Sequence, residues 1–132
     1  MDANPIMSAL ISGQSAASRV FWYGTIEEFA TTAFTKEEVR KYFVRLAEKS
    51  GRTEELLELN LKLLPLVVYE PPTYQGQKSE AEKRIGERDS NDVDLLALSL
   101  HLEVPLWSND QDFELGGVKW YTTAQLLKVL GN

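Results

Sequence analysis

The chain has no cysteine and a single histidine, His101, in its 132 residues. The first absence excludes disulfides, thiolate metal sites and a thiol nucleophile. The second leaves a Ser-His-Asp triad or a two-histidine metal site without the groups it needs, so acid–base or metal chemistry falls to Asp and Glu. Long apolar runs are missing too. LKLLPLVVY and LLALSLHL are well short of the ~20 residues that cross a bilayer, and no basic-then-apolar leader opens the chain. The expectation is a cytoplasmic protein with no membrane contact. Positive charge is scarce: 14 Lys and Arg against 20 Asp and Glu give a net charge of −6. That balance argues against a broad nucleic-acid-coating surface, but it is compatible with a local basic stripe and with a cation held by some of the acids.

What is present suits one domain over residues 1–132, since 43% hydrophobic residues are enough to fill a single core. Asn4 followed by Pro5 reads as the cap and first position of a helix running to Gly13, and Ser15 to Tyr23 reads as a second helix ending at Gly24. Phe29–Thr32 is a short strand candidate. Thr35 opens a long helix through Ser50, stopped by Gly51, on which Val39, Tyr42, Phe43 and Leu46 recur at helical spacing. Thr53 caps a helix to Leu64, and Pro65 ends it before the buried strand LVVY. EPPTYQGQ reads as a loop, 79–85 as a polar helix stopped by Gly86, and Ser90 or Asn91 as the cap of a helix apolar nearly all round. PLWS and VKWY are short strands, NDQDFELGG the loop between them, and TTAQLLKVL a closing helix. Short apolar strands alternating with helices predict an α/β three-layer sandwich, with a short parallel sheet covered by helices on both faces.

Acidic residues stand where such a fold brings chain segments together: Asp2 in DAN, Glu38 in FTKEEV, Asp92 in NDVDLLALSL and Asp110 in SNDQDF. In parallel sheets ligands bind at the carboxyl ends of the strands, and Asp110 directly follows PLWS. Oxygen donors without Cys or clustered His suit hard divalent cations, Mg²⁺ or Mn²⁺. Each acid also has a structural reading. Asp2 can be a solvated terminal residue. Glu38 can close a capping box with Thr35, and Glu37 competes with it as a ligand. Asp92 can complement the helix dipole, and SNDQDF can be an acidic turn. An EF-hand is excluded, because the sixth position from Asp110 is Leu115 and the twelfth is Tyr121. The three tryptophans, Trp22, Trp107 and Trp120, read as core residues, and His101, within a leucine-rich helix, reads as no ligand. Lys41, Arg45, Lys49 and Arg52 recur at helical spacing as a basic stripe.

The segments DANPIMSALI, FATTAFTKEEVRKY, ERDSNDVDLLALSL and SNDQDF, in this order, resemble the PIN domain family of metal-dependent ribonucleases from Asp2 to about Leu130. The resemblance implies Asp2, Glu38, Asp92 and Asp110 as catalytic metal ligands with Asp112 as an auxiliary acid. It further implies Asn4 and Ser108 as bracing residues, and Mg²⁺ or Mn²⁺ as cofactor. Counting back from Ala97 and Ser99 selects Asp92 over Asp89 and Asp94. The family's first strand has several residues before its acid, whereas only Met1 precedes Asp2, so either a one-residue stub or a start further upstream is expected. The function implied is a metal-dependent endoribonuclease that cleaves single-stranded RNA by water attack, similar to the toxins of toxin–antitoxin pairs, with a homodimer and an antitoxin as partners. Lys41, Arg45 and Lys49 would then contact the RNA backbone. The alternative is a PIN-fold RNA-binding or assembly module without catalysis.

Overall fold

The computed structural model describes residues 1–22, 26, 28–86 and 90–131, with Ser90 described by its backbone alone. The first helix, α1 (Ala3–Ile11), begins earlier than its Asn-Pro pair suggests, because the Asp2 carboxylate accepts from the Ala3 amide at 2.7 Å and caps it. Pro5 then occupies the third helical position, where its missing N–H costs nothing, since the first turn's amides have no intrahelical acceptor. Helix α2 (Ala16–Phe21) is capped by Ser15, which accepts from the Ser18 amide at 3.1 Å. Its expected end at Tyr23 and Gly24 lies outside the described residues.

Strand β1 (Phe29–Thr32) leads directly into α3 (Ala33–Lys41), whose cap is Thr32 rather than the expected Thr35. The Thr32 hydroxyl accepts from the Thr35 amide at 3.0 Å and lies 2.8 Å from the Thr35 hydroxyl. The single long helix expected here is in fact two, α3 and α4 (Phe43–Ser50), parted at Tyr42. There the amide reaches back to Val39 at 3.1 Å, a tight three-residue bond that turns the axis. Gly51, with φ of 74°, ends α4 in the left-handed conformation that favours glycine. Helix α5 (Glu54–Leu63), capped by Thr53, precedes β2 (Leu66–Tyr69).

The expected loop after β2 is largely helical: α6 (Pro71–Tyr74) passes through a 3₁₀ turn (Gln75–Gln77) into α7 (Lys78–Ile85). Pro71, at the first position of α6, has the φ a helix requires and lacks only an amide that would have no partner. Helix α8 (Ser90–Leu102) includes both Ser90 and Asn91, so neither caps it. Then follow β3 (Leu106–Trp107), a 3₁₀ turn (Gln111–Gly116), β4 (Trp120–Tyr121) and α9 (Thr123–Gly131).

Strand β1 pairs in parallel with β2, and β3 in parallel with β4. Met1 and Asp2 join the two pairs. The Met1 amine donates to the Ala30 carbonyl, the Thr31 hydroxyl donates to the Met1 carbonyl at 2.9 Å, and the Asp2 amide donates to the Trp107 carbonyl at 2.9 Å. Met1 therefore lies centrally, in the order β2, β1, Met1, β3, β4. Successive strand residues point to opposite faces, and the core divides accordingly. Trp107 packs with Phe21, Phe29, Ile6, Leu10 and Leu57 on one side, while Leu106 packs with Leu95, Leu96, Phe113 and Tyr74 on the other. Rings of Phe21, Phe29 and Trp107 meet with centroids 4.7 to 5.5 Å apart, contacts worth about 0.5–1.5 kcal/mol each beyond their buried area. The helices on both faces of a short parallel sheet make the α/β sandwich that the sequence predicts.

Of the three tryptophans, only Trp107 is a fully buried core residue. Trp120 is half-buried, its indole N–H bonded to the Ser108 carbonyl at 2.9 Å, and Trp22 is 59% exposed. His101 is exposed, near the end of α8 rather than deep within its packed part. Among the described residues no helix is long and apolar enough to cross a membrane.

Candidate active site

Because the strands run parallel, their carboxyl ends share a rim, and the first acid is fixed there by two bonds. Asp2 Oδ1 accepts from the Ala3 amide, and Asp2 Oδ2 accepts from the Ser108 hydroxyl at 2.7 Å. Ser108, the residue after β3, is fully buried and its oxygen also accepts from the Asp110 amide at 3.0 Å. One hydroxyl therefore ties the segments of the first and fourth acids together across 106 positions of sequence. Ser108, expected from the resemblance as a bracing residue, thus touches the Asp2 carboxylate directly. Asp110 is exposed, and its Oδ1 accepts from the Asp112 amide at 2.9 Å, which opens the 3₁₀ turn. Asp112, also exposed, lies in the first turn of this 3₁₀ segment.

Asn4 is exposed and accepts from Asn109 Nδ2 at 3.1 Å, while Asn109 Oδ1 accepts from the Thr123 amide at 2.9 Å. Asn4 therefore links the start of α1 to the segment after β3; it neither bonds Asp2 directly nor caps α1. Nothing in the local sequence beyond its place between Ser108 and Asp110 marks Asn109 as a site residue.

Glu38 lies beyond the first turn of α3, which is capped by Thr32, so it forms no capping box with Thr35. Its Oε2 accepts from Asn91 Nδ2 of α8 at 3.1 Å. The competing Glu37 is 63% exposed and ion-paired with Arg40. Arg40 also holds Glu58 of α5 through two bonds, 2.8 and 3.2 Å, a paired geometry that ties α3 to α5. Asp92 is half-buried in the first turn of α8, adjacent to Asn91. The structure thus gathers the predicted acids into two linked sets, Asp2 with Asp110 through Ser108, and Glu38 with the start of α8 through Asn91. Of the alternatives weighed for the third acid, Asp89 lies outside the described residues. Asp94 is turned away, 1% exposed in the core, where its carboxylate accepts from the Tyr74 hydroxyl.

The donors match a hard cation in kind: they are carboxylate oxygens, and each oxygen of Asp2 accepts one bond and retains a lone pair. They are not gathered into a ready coordination sphere, since among the described residues no three His, Cys, Asp or Glu are grouped closely enough to hold a metal ion.

The basic stripe is interrupted by the break at Tyr42. Lys41 ends α3, while Arg45 and Lys49 share one face of α4. The Arg45 guanidinium lies 5.6 Å from the centre of the Tyr42 ring, and Arg52 donates to the Leu10 carbonyl at 3.1 Å. Arg52 therefore serves the fold.

The fold is an α/β sandwich with Asp2 and Asp110 at the carboxyl ends of its parallel strands. A family model described as PIN domain matches residues 1–130, and the chain belongs to the PIN domain family. No curated protein and no solved structure matches it. PIN domains are in general nucleases, and hydrolases by reaction class.

Proposed function

We propose that the protein is a divalent-cation-dependent endoribonuclease that cuts single-stranded RNA by attack of water on the phosphodiester, leaving 5′-phosphate and 3′-hydroxyl ends. The observation that supports this most is the Asp2–Ser108–Asp110 linkage at the carboxyl rim of the sheet. Asp2, Glu38, Asp92 and Asp110 would hold Mg²⁺ or Mn²⁺, with Asp112 beside them. When bound, such an ion supplies the positive charge that acidifies water and offsets charge developing on the phosphate. The chain's own residues prepare the place. Ser108 holds the Asp2 carboxylate and the Asp110 backbone in register, Asn109 and Asn4 keep the segment after β3 against α1, and Asn91 orients Glu38. Holding these individual side chains in place limits the movement needed to close them around a cation.

Arg45 and Lys49, on one face of α4, and Lys41 at the end of α3 are the proposed contacts to the RNA backbone. A homodimer and an antitoxin partner, with the chain as the toxin of the pair, are part of this reading. Leu56, Leu59 and Leu63 support it as an exposed apolar face of α5 that a protein partner would cover. The acidic net charge is compatible with a cytoplasmic location, and among the described residues no helix is long and apolar enough to cross a membrane.

Cleavage of a labelled single-stranded RNA is expected with Mg²⁺ or Mn²⁺ and to vanish when EDTA is added. Cutting at the same rate in EDTA would refute the cation-dependent reading. RNA binding without cutting under any ion would place the protein with the non-catalytic alternative.

A further inference from the structure

Helix α8 carries Asn91 and Asp92 to the candidate site, yet its sequence does little to fix its rotation. Val93, Leu95, Leu96, Ala97 and Leu98 are all buried, on every side of the axis. Apolar packing of that kind secures burial without selecting one angle about the axis, and a turn of one residue moves every side chain by about 100°. Directional bonds must supply the angle, as a single buried polar residue sets register in coiled coils.

One such set is present. Asp94, 1% exposed, accepts from the Tyr74 hydroxyl at 2.7 Å through Oδ2, and its Oδ1 lies 3.3 Å from Lys78 Nζ. The lysine contact is an ion pair outside hydrogen-bonding geometry, so the tyrosine bond is the directional one. Tyr74 closes α6 and is fully buried, and Lys78 opens α7. Burial and the neighbouring Asp94 carboxylate push the Tyr74 phenol well above its ordinary range, so it remains a donor. Asp94 lies two residues beyond Asp92, about 200° around the helix. It therefore grips the flank opposite the one that presents Asp92. A buried ion pair adds little net stability over apolar residues of similar size, so the contribution of this trio is orientation.

We propose that Tyr74, Asp94 and Lys78 form a clamp that sets the rotation of α8 and thereby positions Asn91 and Asp92 opposite Glu38. These three are positioning residues, and the proposal rests on the cation-site reading above. The test is Mn²⁺ affinity, measured by calorimetry, in a variant that keeps the core filled: Asp94→Leu with Tyr74→Phe and Lys78→Met. It should melt within a few degrees of the unaltered protein and bind Mn²⁺ about ten- to a hundredfold more weakly, the range for residues that orient metal ligands. Asp94→Asn with Lys78→Gln, which keeps a hydroxyl acceptor and replaces the ion pair with two amides, should restore most of the affinity.

A folded apolar variant with unchanged Mn²⁺ affinity would overturn the clamp. If that variant does not fold, Tyr74→Phe alone decides: weaker Mn²⁺ binding supports the clamp and unchanged binding overturns it. Loss of binding in Asp92→Asn, with full binding in the clamp variants, would sink the clamp and leave the cation site standing. An unaltered protein that binds no Mn²⁺ would sink both.

Discussion

Replacing Asp110 with Asn is expected to lower RNA cleavage by orders of magnitude while leaving the fold intact. The Asp110 amide bonds Ser108 through the backbone, and its Oδ1 accepts from the Asp112 amide. An asparagine side-chain oxygen makes the same turn, so the substitution keeps the shape and removes the charge. Asp110 is also exposed, and surface substitutions away from packing features usually change stability within about 0.5 kcal/mol. Melting curves should therefore overlay while the cleavage rate collapses. A rate within a few-fold of the unaltered protein would remove Asp110 from the site.

The second large effect is on stability. The Phe29 amide goes to the Pro65 carbonyl and the Leu106 amide to the Lys119 carbonyl. Alternation along a parallel ladder therefore turns the amides of Ala30 and Trp107 toward the gap between β1 and β3, on the side before Met1. A cavity of about 450 Å³ opens there, lined by Phe29, Ala30, Leu95, Leu98, Leu106 and Trp107 among others. Adding three residues such as Val-Thr-Val ahead of Met1 lengthens the central strand into this space. New ladder bonds at about 1 kcal/mol each and two buried valines at about 1.5–3 kcal/mol each oppose an ordering cost near 1.5 kcal/mol per residue. A net gain of about 2–3 kcal/mol raises the melting temperature by roughly 5–15 °C for a chain of this size.

The same change removes a pH dependence. Burial lowers the Met1 amine from its ordinary 8.0 to about 5, partly offset by the charge of Asp2. Between those values the unfolded chain holds a proton that the folded chain does not, so stability rises with pH from about 5 to 8. Below that window the full penalty of the buried amine is present. With the strand lengthened the amine moves away, and this rise should flatten. An unchanged melting temperature together with an unchanged pH slope would show that the gap does not accept a strand.

Much of the frame was legible from local chemistry. Thr53 and Ser15 cap as hydroxyl residues do, Gly51 and Gly86 stop their helices, and LVVY pairs in parallel with Phe29–Thr32. What escaped depends on distant partners. Asp2 caps α1 because Ser108, 106 residues away, holds its other oxygen, and no local pattern at Asn4-Pro5 reveals that. The break at Tyr42 has neither Gly nor Pro to announce it; it arises where α3, seated against β1, gives way to α4, seated against α1 and α5. Asp94 carries a local signal of its own. An acid followed by Leu95, Leu96, Ala97 and Leu98 is buried more deeply than one at the helix start and must find a donor or a cation. Its donor, Tyr74, lay in a stretch that read as loop. The site residues were legible as types in an order, but the pairing of Glu38 with Asn91 was not, since 53 positions separate them.

The central claim is that acids from separate segments share one cation. Calorimetric titration with Mn²⁺ of the unaltered protein and of Asp92→Asn tests it most directly. Saturable binding in the first and its loss in the second are the predicted results. Equal binding in both, or binding in neither, would contradict the shared site.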